Sequence, residues 1–153
     1  MKNTRKATIQ DLPQLALLFD QYRVFYHKES DIPAAESFLK ERIEKADSEI
    51  FVAEREGDLV GFVQLYPLFS STRMKRYWLL NDLFVNENYR GKGFSKELIE
   101  ETKELAKFTN SAGILLETGK SNTVGNKLYP SCGFELYDEV NFYEWTNNMN
   151  DNR

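Results

Sequence analysis

A glycine-rich loop, Arg90-Gly91-Lys92-Gly93-Phe94-Ser95, is the part of the sequence whose residue types point most directly to chemistry. It follows an apolar, strand-like run that ends at Val85, and a helical pattern begins immediately after it. Glycines let the backbone turn tightly and leave its N–H groups uncovered. The start of a helix adds unpaired N–H groups and the positive end of the helix dipole. This order of strand, glycine loop and helix start predicts a site for a phosphate or pyrophosphate group.

Two common phosphate-binding fingerprints do not fit this loop. A P-loop requires Gly-x-x-x-x-Gly-Lys followed by Ser or Thr, and no such string occurs in the chain. The dinucleotide-binding fingerprint requires a third glycine, at the position where this chain has Lys96. A plain structural turn and a nucleotide-binding protein of another type are the alternatives at this point.

The loop and the strand before it resemble a motif of a known family. Residues 90–95 are similar to the Arg/Gln-x-x-Gly-x-Gly/Ala pyrophosphate loop of the GNAT superfamily of acyl-CoA N-acyltransferases, with Ser95 where the family usually has Gly or Ala. The preceding Asp82-Leu83-Phe84-Val85 resembles the fourth strand of that family. The resemblance implies binding of acetyl-CoA, its pantetheine arm along the strand and its pyrophosphate on the loop. The cofactor-binding residues implied in this way are Leu83, Phe84, Val85, Arg90, Gly91, Lys92, Gly93, Phe94, Ser95 and, further along the chain, Asn122.

A second block, in residues 114–134, supports the same resemblance. It contains Asn122, then Gly125 where the family has Ala, then Tyr129 and Gly133-Phe134. This order is similar to the family pattern Asn-x-x-Ala-x-x-x-Tyr-x-x-x-Gly-Phe. The resemblance implies that Tyr129 protonates the departing thiolate and that Asn122 holds the turn before its helix or contacts the pantetheine. A core aromatic and a helix N-cap are the structural alternatives for these two residues.

Transfer of an acyl group to an amine also requires that the amine lose a proton before it attacks. Asp82 precedes the predicted break between strands, and Glu117 ends the neighbouring strand. Partial burial would raise the pKa of either carboxylate and suit it to draw that proton through water, although each can equally be structural. His27 carries an imidazole, a common proton acceptor in catalysis, but lies at the end of the first helix.

Aromatic residues in two segments are candidates for binding the acceptor. Tyr22 and Tyr26 lie on the first helix, and Tyr66 lies on the third strand. They can form an aromatic wall for a cationic amine, or they can belong to the core and the helix face. The net charge of −4 is compatible with a cationic acceptor. The chain is most similar to small bacterial members related to diamine and polyamine acetyltransferases, from Asn81–Val85 and Phe142–Trp145.

The elements that must position these residues follow the order β-α-α-β-β-β-α-β-α-β-β, which predicts a mixed sheet covered by helices. The predicted fold class is therefore α/β (α+β). The resemblance implies a single GNAT-like domain with a mostly antiparallel sheet whose fourth and fifth strands splay apart. Residues 1–147 form this domain in the prediction, and 148–153 are a polar tail. The predicted strands are 4–8, 49–55, 59–69, 77–85, 113–117, 134–137 and 141–146.

Length and composition limit the other classes of function. A chain of 153 residues is expected to form one domain. Its acidic balance argues against nucleic acid as a partner, and no apolar run of membrane-spanning length occurs. Cys132 is the single cysteine, so no internal disulfide is possible, and with one histidine a metal site is not expected. The chain is expected to be cytoplasmic.

The predicted function is acetyl-CoA-dependent N-acetylation of a primary amine, by direct attack in a ternary complex. A non-catalytic acyl-CoA-binding or sensor domain is the alternative of a different class. A homodimer is also predicted, because the closing strand Asn141–Thr146 carries Phe142, Tyr143 and Trp145, more aromatic surface than a free edge strand should show.

Overall fold

The structure, a computed structural model, describes residues 2–148. The chain divides into two compact units, one that reaches to Glu117 and one that begins at Thr118. Residues 149–153 of the predicted polar tail lie outside the described residues. The count of one domain, with its boundary at residue 147, stays a prediction.

The first unit is built on a five-stranded sheet in the order β1-β2-β3-β4-β5. Neighbouring strands are antiparallel, except that β4 and β5 are parallel. The mixed α/β fold class is confirmed, and so is the predicted order of elements up to the fourth helix. The strands are β1 (Thr4–Lys6), β2 (Glu49–Arg55), β3 (Asp58–Ser70), β4 (Lys75–Val85) and β5 (Ile114–Leu115); the helices are α1 (Leu12–Phe25), α2 (Ile32–Lys45), α3 (Phe94–Phe108) and, in the second unit, α4 (Thr123–Ser131).

Local sequence signals set where α1 and α2 begin. Each helix has a proline in its first turn, where a missing N–H group has no consequence. The Asp31 carboxylate caps α2 by accepting a hydrogen bond from the Ala34 N–H at 3.1 Å. Buried Asp20 joins the two helices, because it accepts bonds from the Ser30 hydroxyl and the Asp31 N–H, each at 2.7 Å. Together these contacts fix the helix pair that covers one face of the sheet.

The core of the first unit consists of two apolar layers, one on each face of the sheet. In one layer, Leu15 and Leu39 of the α1–α2 pair pack with Phe62 and Phe84 of the sheet. The other layer contains α3 and the opposite sides of the same strands. Its buried residues include Phe94, Leu98, Val63, Leu65, Trp78, Leu80 and Val85. The two layers leave β3 and β4 in the middle of the unit, covered on both faces.

The second unit corrects the predicted end of the chain. It contains α4, but residues 134–137 and 141–146 form no strand in the described structure, so the prediction of two closing strands is wrong for this chain. The alternating pattern was suited to a strand, but a strand exists only when a neighbour satisfies its backbone hydrogen bonds. Phe142, Tyr143 and Trp145 are 83%, 91% and 84% exposed.

Three further expectations concern composition. Within residues 2–148, no helix is both long and apolar enough to cross a bilayer. In the same part of the chain, no group of three or more His, Cys, Asp or Glu side chains is arranged to hold a metal ion. Cys132, the single cysteine of the chain, is buried.

Candidate functional site

A β-bulge in the middle of β4 determines which face of the sheet the side chain of Asp82 lies on. Gln64 of β3 pairs with Asp82, but the next residue, Leu65, pairs with Leu80, so Asn81 is an extra residue in β4. Side chains normally alternate between the faces of a sheet, and an extra residue reverses that alternation. Before the bulge Leu80 packs on the α3 side, whereas after it Phe84 packs on the α1–α2 side. The bulge therefore directs Asp82 to the α1–α2 face.

Beyond the bulge, β4 separates from β5. Among the described residues, β5 pairs with β4 only at Trp78 and Leu79, and β4 continues to Val85. The predicted splay of the fourth and fifth strands is thereby confirmed. It leaves the β5-facing backbone of residues 80–85 outside the ladder, so this edge of β4 can pair with an extended ligand.

Asp82 is a buried carboxylate, 6% exposed, whose hydrogen-bond donors are neutral. Its Oδ2 accepts a bond from Gln64 Nε2 at 3.0 Å, and its Oδ1 accepts one from Asn81 Nδ2 at 3.1 Å. The Tyr22 hydroxyl lies beside this carboxylate, where it donates to the Asn81 carbonyl at 3.4 Å and also interacts with Asp82. Burial raises the pKa of Asp82, and the bonds from Gln64, Tyr22 and Asn81 oppose that rise. A carboxyl group with a raised pKa is suited to accept a proton near neutral pH.

Tyr66 lies on β3, two residues after Gln64, and Asp82 influences it electrostatically. Burial, and next the negative charge of Asp82, raise the pKa of the Tyr66 phenol to about 12. The phenol therefore stays protonated at the pH of most assays. It can donate a hydrogen bond to an acceptor molecule, but it cannot serve as the base.

Tyr22 and Tyr26, the other predicted acceptor residues, form an aromatic group with the sheet. Their ring centroids are 5.1 Å apart, and the Tyr22 ring lies 6.0 Å from that of Phe84 in β4. Tyr26 is half exposed at the end of α1, whereas Tyr22 is half-buried beside Asp82. The structure thus brings Tyr22 and Tyr26 together on the same face as Asp82.

The predicted pyrophosphate loop links β4 to α3. Gly91 and Gly93 have φ angles of +76° and +88°, a region that other residues rarely adopt. Apart from the glycine itself and the two residues next to it, no heavy atom of residues 2–148 lies within 4 Å of the place where a Cβ would stand on either glycine, so the backbone is open to a ligand there. Gly93 is also the N-cap of α3, a fifteen-residue helix whose first N–H groups have no intrahelical partner. The local geometry therefore suits an anion.

The two cationic side chains of the loop, Arg90 and Lys92, lie over aromatic rings. Arg90 Nε donates a hydrogen bond to the Val85 carbonyl at 2.9 Å, and its guanidinium lies 5.3 Å from the centroid of Phe25 and 5.4 Å from that of Phe84. The Lys92 ammonium lies 5.3 Å from the ring centroid of Tyr89. Arg90 thus fixes the end of β4 as well as adding positive charge beside the loop.

Two predicted site residues belong to the second unit. Asn122 is the N-cap of α4, since its Oδ1 accepts a bond from the Gly125 N–H at 3.0 Å and its Nδ2 donates to Thr118 Oγ1 at 2.9 Å. A Cβ at Gly125, where the family pattern has Ala, would lie 2.6 Å from Asn122 Nδ2, so an alanine here would require the Asn122 amide to shift. Tyr129 is half-buried, and its ring meets Phe134 edge-on at 5.9 Å.

The other two candidate bases differ from Asp82. Glu117 is exposed and follows β5 in the first unit. His27 is exposed just beyond α1, with a φ angle of 65°. Neither has the burial that would set it apart from an ordinary surface group.

Sequence reasoning missed two partners of Asp82, Gln64 and Asn81. A signal for Gln64 was present, because it is a polar residue within the apolar run Val60–Leu65, and such residues are buried only when they are hydrogen-bonded. The bulge at Asn81 had no comparable signal, because an extra strand residue carries no particular side chain.

Comparison with known proteins gives a consistent result. The model of the acetyltransferase (GNAT) family matches residues 14–134. The uncharacterized N-acetyltransferase YhfO of Bacillus subtilis (strain 168) is 43% identical over 133 residues, which cover 87% of this chain and 89% of that protein. The spermine/spermidine N(1)-acetyltransferase of the same strain is 34% identical over 92 residues, which cover 57% of this chain and 59% of that protein.

Solved structures agree with these sequence matches. The crystal structure of a probable acetyltransferase superposes with a TM-score of 0.88 and 36% identity, covering 97% of this chain and 99% of that one. The match extends over nearly the whole of both chains.

Proposed function

Because the chain belongs to the acetyltransferase (GNAT) family, we propose that it transfers an acetyl group from acetyl-CoA to a primary amine, by direct attack in a ternary complex. One observation carries this proposal. A single continuous segment presents the buried carboxylate of Asp82, the edge of β4 at 83–85 that β5 does not pair and the open glycine loop at 90–93. Direct transfer needs these three groups: one to take a proton and two to hold the donor.

The segment from Leu83 to Ser95 would hold acetyl-CoA, which supplies a thioester-activated acetyl group when bound. The backbone of Leu83, Phe84 and Val85 would pair with the pantetheine arm as an added strand. The N–H groups from Gly91 to Ser95 would bind the pyrophosphate, since both glycines are open to a ligand. A backbone N–H group of this β4 edge would also stabilise the oxyanion that forms on the thioester carbonyl.

Asp82 would be the general base. The acceptor arrives as an ammonium ion, its N–H bond breaks as the proton passes to the carboxylate, and the freed lone pair attacks the acyl carbon. The C–S bond then breaks, and the nitrogen loses a second proton to solvent as the amide forms. Glu117 stays the alternative base. Tyr129 would protonate the departing thiolate, and Asn122 would order the start of its helix; both roles follow from the family resemblance.

The proposed acceptor is a small molecule or peptide that is cationic before it reacts. Tyr22, Tyr26 and Tyr66 would surround its ammonium group, with Asp82 at the end of this aromatic wall. The similarity to a spermine/spermidine acetyltransferase supports a polyamine-like acceptor. We place the enzyme in the cytoplasm.

Free thiol release with a panel of amines tests the proposal. The panel contains polyamines, aminoglycosides, lysine peptides and amino acids with free carboxylates. Turnover is expected with cationic amines, and Gly93→Val is expected to bind acetyl-CoA more weakly in calorimetry because it strains the loop. Tight acetyl-CoA binding without turnover would instead identify a non-catalytic acyl-CoA-binding or sensor domain. A preference for an anionic acceptor would contradict the proposed binding site for a cation, but not the acetyl transfer itself.

We propose, in addition, that the chain forms a homodimer through residues 135–145. This segment carries four carboxylates and no Lys or Arg, and its large apolar side chains are exposed. The tip of the β3–β4 hairpin has the opposite charge, with Arg73, Lys75 and Arg76 beside the exposed Phe69 and Met74. A second copy therefore offers a surface complementary in charge and apolar character.

Sedimentation velocity at micromolar concentration tests the dimer. A dimer is expected, and Arg73→Glu with Arg76→Glu should weaken it. Lys103→Glu, a charge reversal on α3, serves as the control. A wild-type monomer at this concentration would contradict the dimer without affecting the proposed reaction.

A further inference from the structure

Gln64 is a completely buried polar side chain in the middle of β3, between the equally buried Val63 and Leu65. Burying an amide is unfavourable unless both of its ends are hydrogen-bonded. A residue of this kind in a central strand therefore needs a specific reason. The contacts of Gln64 show which group it serves.

The Gln64 amide links two groups in the interior. Its Nε2 donates to Asp82 Oδ2 at 3.0 Å, and its Oε1 accepts a bond from the Ser48 hydroxyl at 2.9 Å. Ser48 lies immediately before β2, so the line Ser48–Gln64–Asp82 crosses three neighbouring strands. An ionised Asp82 can only accept hydrogen bonds, and the Ser48 hydroxyl can donate one to the other end of the amide. The amide orientation is thus fixed from both sides.

We infer that Gln64, oriented by Ser48, is a positioning residue that holds Oδ2 of Asp82 and leaves Oδ1 as the proton-accepting oxygen. The two oxygens differ in their amide partners: Oδ2 is bonded by the buried Gln64 of β3, whereas Oδ1 is bonded by the exposed Asn81. The Asn81 amide can be exchanged for an incoming ammonium group without opening the core. This inference rests on the proposed role of Asp82 as the base.

The groups that face Asp82 from the neighbouring elements enter its pH dependence. They are Gln64 and Tyr66 on β3, Asn81 on β4 and Tyr22 on α1. Arg42 of α2 and Asp47, which follows that helix, act on Tyr66 from further out with opposite signs. Two of these groups donate a hydrogen bond to Asp82 from an amide: Gln64, which is buried, and Asn81, which is exposed.

Two variants separate positioning from general stability. Gln64→Met keeps the side-chain volume but removes the Nε2 donor. Ser48→Ala keeps that donor but removes the hydrogen bond that orients the Gln64 amide. Thr102→Val is the matched control, since Thr102 is equally buried on α3 and its hydroxyl bonds the Ile99 carbonyl at 2.7 Å. Ser48→Thr restores a hydroxyl and should recover most of the loss from Ser48→Ala.

The readouts are kcat and KM against pH, and titration of the Asp82 carboxyl by carbon-13 NMR. Loss of a bond to the charged form should lower kcat about tenfold in Gln64→Met and less in Ser48→Ala. It should also raise the pKa of Asp82 and leave the KM for acetyl-CoA unchanged. Thr102→Val should change neither kcat nor the pKa of Asp82.

The outcomes distinguish this inference from the proposed reaction. If Asp82→Asn is inactive but Gln64→Met and Ser48→Ala keep the wild-type kcat and the wild-type pKa of Asp82, the positioning role is overturned and the role of Asp82 as base is unaffected. Full activity in Asp82→Asn would overturn the base and, with it, the positioning role. If Gln64→Met does not fold, Ser48→Ala and Ser48→Thr decide the question.

Discussion

Asp11 and Asp82 are two buried aspartates of the same unit, 9% and 6% exposed, and their surroundings are opposite in character. Asp11 faces a cation, since Arg5 donates to both of its oxygens at 2.8 Å. The Thr8 N–H adds a bond at 2.7 Å, so Asp11 closes the turn before α1 rather than capping the helix. Within residues 2–148, by contrast, the hydrogen-bond donors to Asp82 are neutral.

The difference between the two sites is visible in their pKa values. The hydrogen bond from Arg5 lowers the pKa of Asp11, whereas burial raises that of Asp82. The charge of Asp11 is compensated inside the fold and is used to fix β1 against the start of α1. The charge of Asp82 is left uncompensated, which is unfavourable for stability but available for reaction with a cationic acceptor.

Asp82→Asn should produce the largest effect in this comparison. Removing the base is expected to lower kcat by about 10²- to 10⁴-fold. The melting temperature at pH 7 should not fall, because the variant no longer buries a charge. Steady-state thiol release and circular dichroism measure the two quantities, and activity within twofold of wild type would return Asp82 to a structural role.

Asp11→Asn should have the opposite profile. It replaces a charge-assisted pair with a neutral group beside Arg5, so we expect a loss of about 1.5–3 kcal/mol in unfolding free energy. Below its melting temperature the variant should turn over normally. Urea denaturation gives the free energy, and a double-mutant cycle with Arg5→Met isolates the pair. Unchanged stability would show that Arg5 and Asp11 contribute little.

The pH dependence of stability should differ in sign between the two sites. Asp11 has a lowered pKa, so its contribution is present above about pH 4, the ordinary value for an aspartate, and is lost as the pH falls through the folded value. Asp82 has a raised pKa, so its contribution is present below about pH 4 and is lost as the pH rises through the folded value.

Urea titrations of wild type and both variants, from pH 3 to pH 7, measure this difference. The stability deficit of Asp11→Asn should shrink toward low pH. The stability of Asp82→Asn relative to wild type should instead improve as the pH rises. Parallel curves for both variants would contradict the assigned pKa directions.

The smallest expected effect concerns Tyr66. Its pKa of about 12 predicts one tyrosine that ionises late in an ultraviolet titration. Tyr66→Phe should remove that late step, and Asp82→Asn should move it to slightly lower pH because a negative charge nearby is lost. Tyr137→Phe, at an exposed position, is the control. A late step that survives in Tyr66→Phe would mean that another tyrosine has the raised pKa.

Much of the first unit could be predicted because its signals are local. The Glu56-Gly57 turn between β2 and β3 has the positive φ angles of a tight hairpin, 54° and 86°, which its glycine favours. The glycine loop at 90–93 precedes a helix, as expected. Asp82 was among the predicted bases. The contacts of Gln64 with Asp82 and Ser48 were not predicted, because they depend on which residues face each other across neighbouring strands. The closing strands at 134–137 and 141–146 were predicted wrongly, because alternation in a sequence does not supply a neighbouring strand.

The bulge at Asn81 places Leu80 and Asp82, which are two residues apart in the sequence, on opposite faces of the sheet. Deleting Asn81 would make them adjacent and would leave Gln64 opposite Asp82 and Leu65 opposite Leu80, so the ladder would become regular and no side chain would change face. The carboxylate would lose the amide that bonds its Oδ1. Loss of this one codon can therefore change one oxygen of the candidate base within a lineage and leave the core on both faces of β4 as it is.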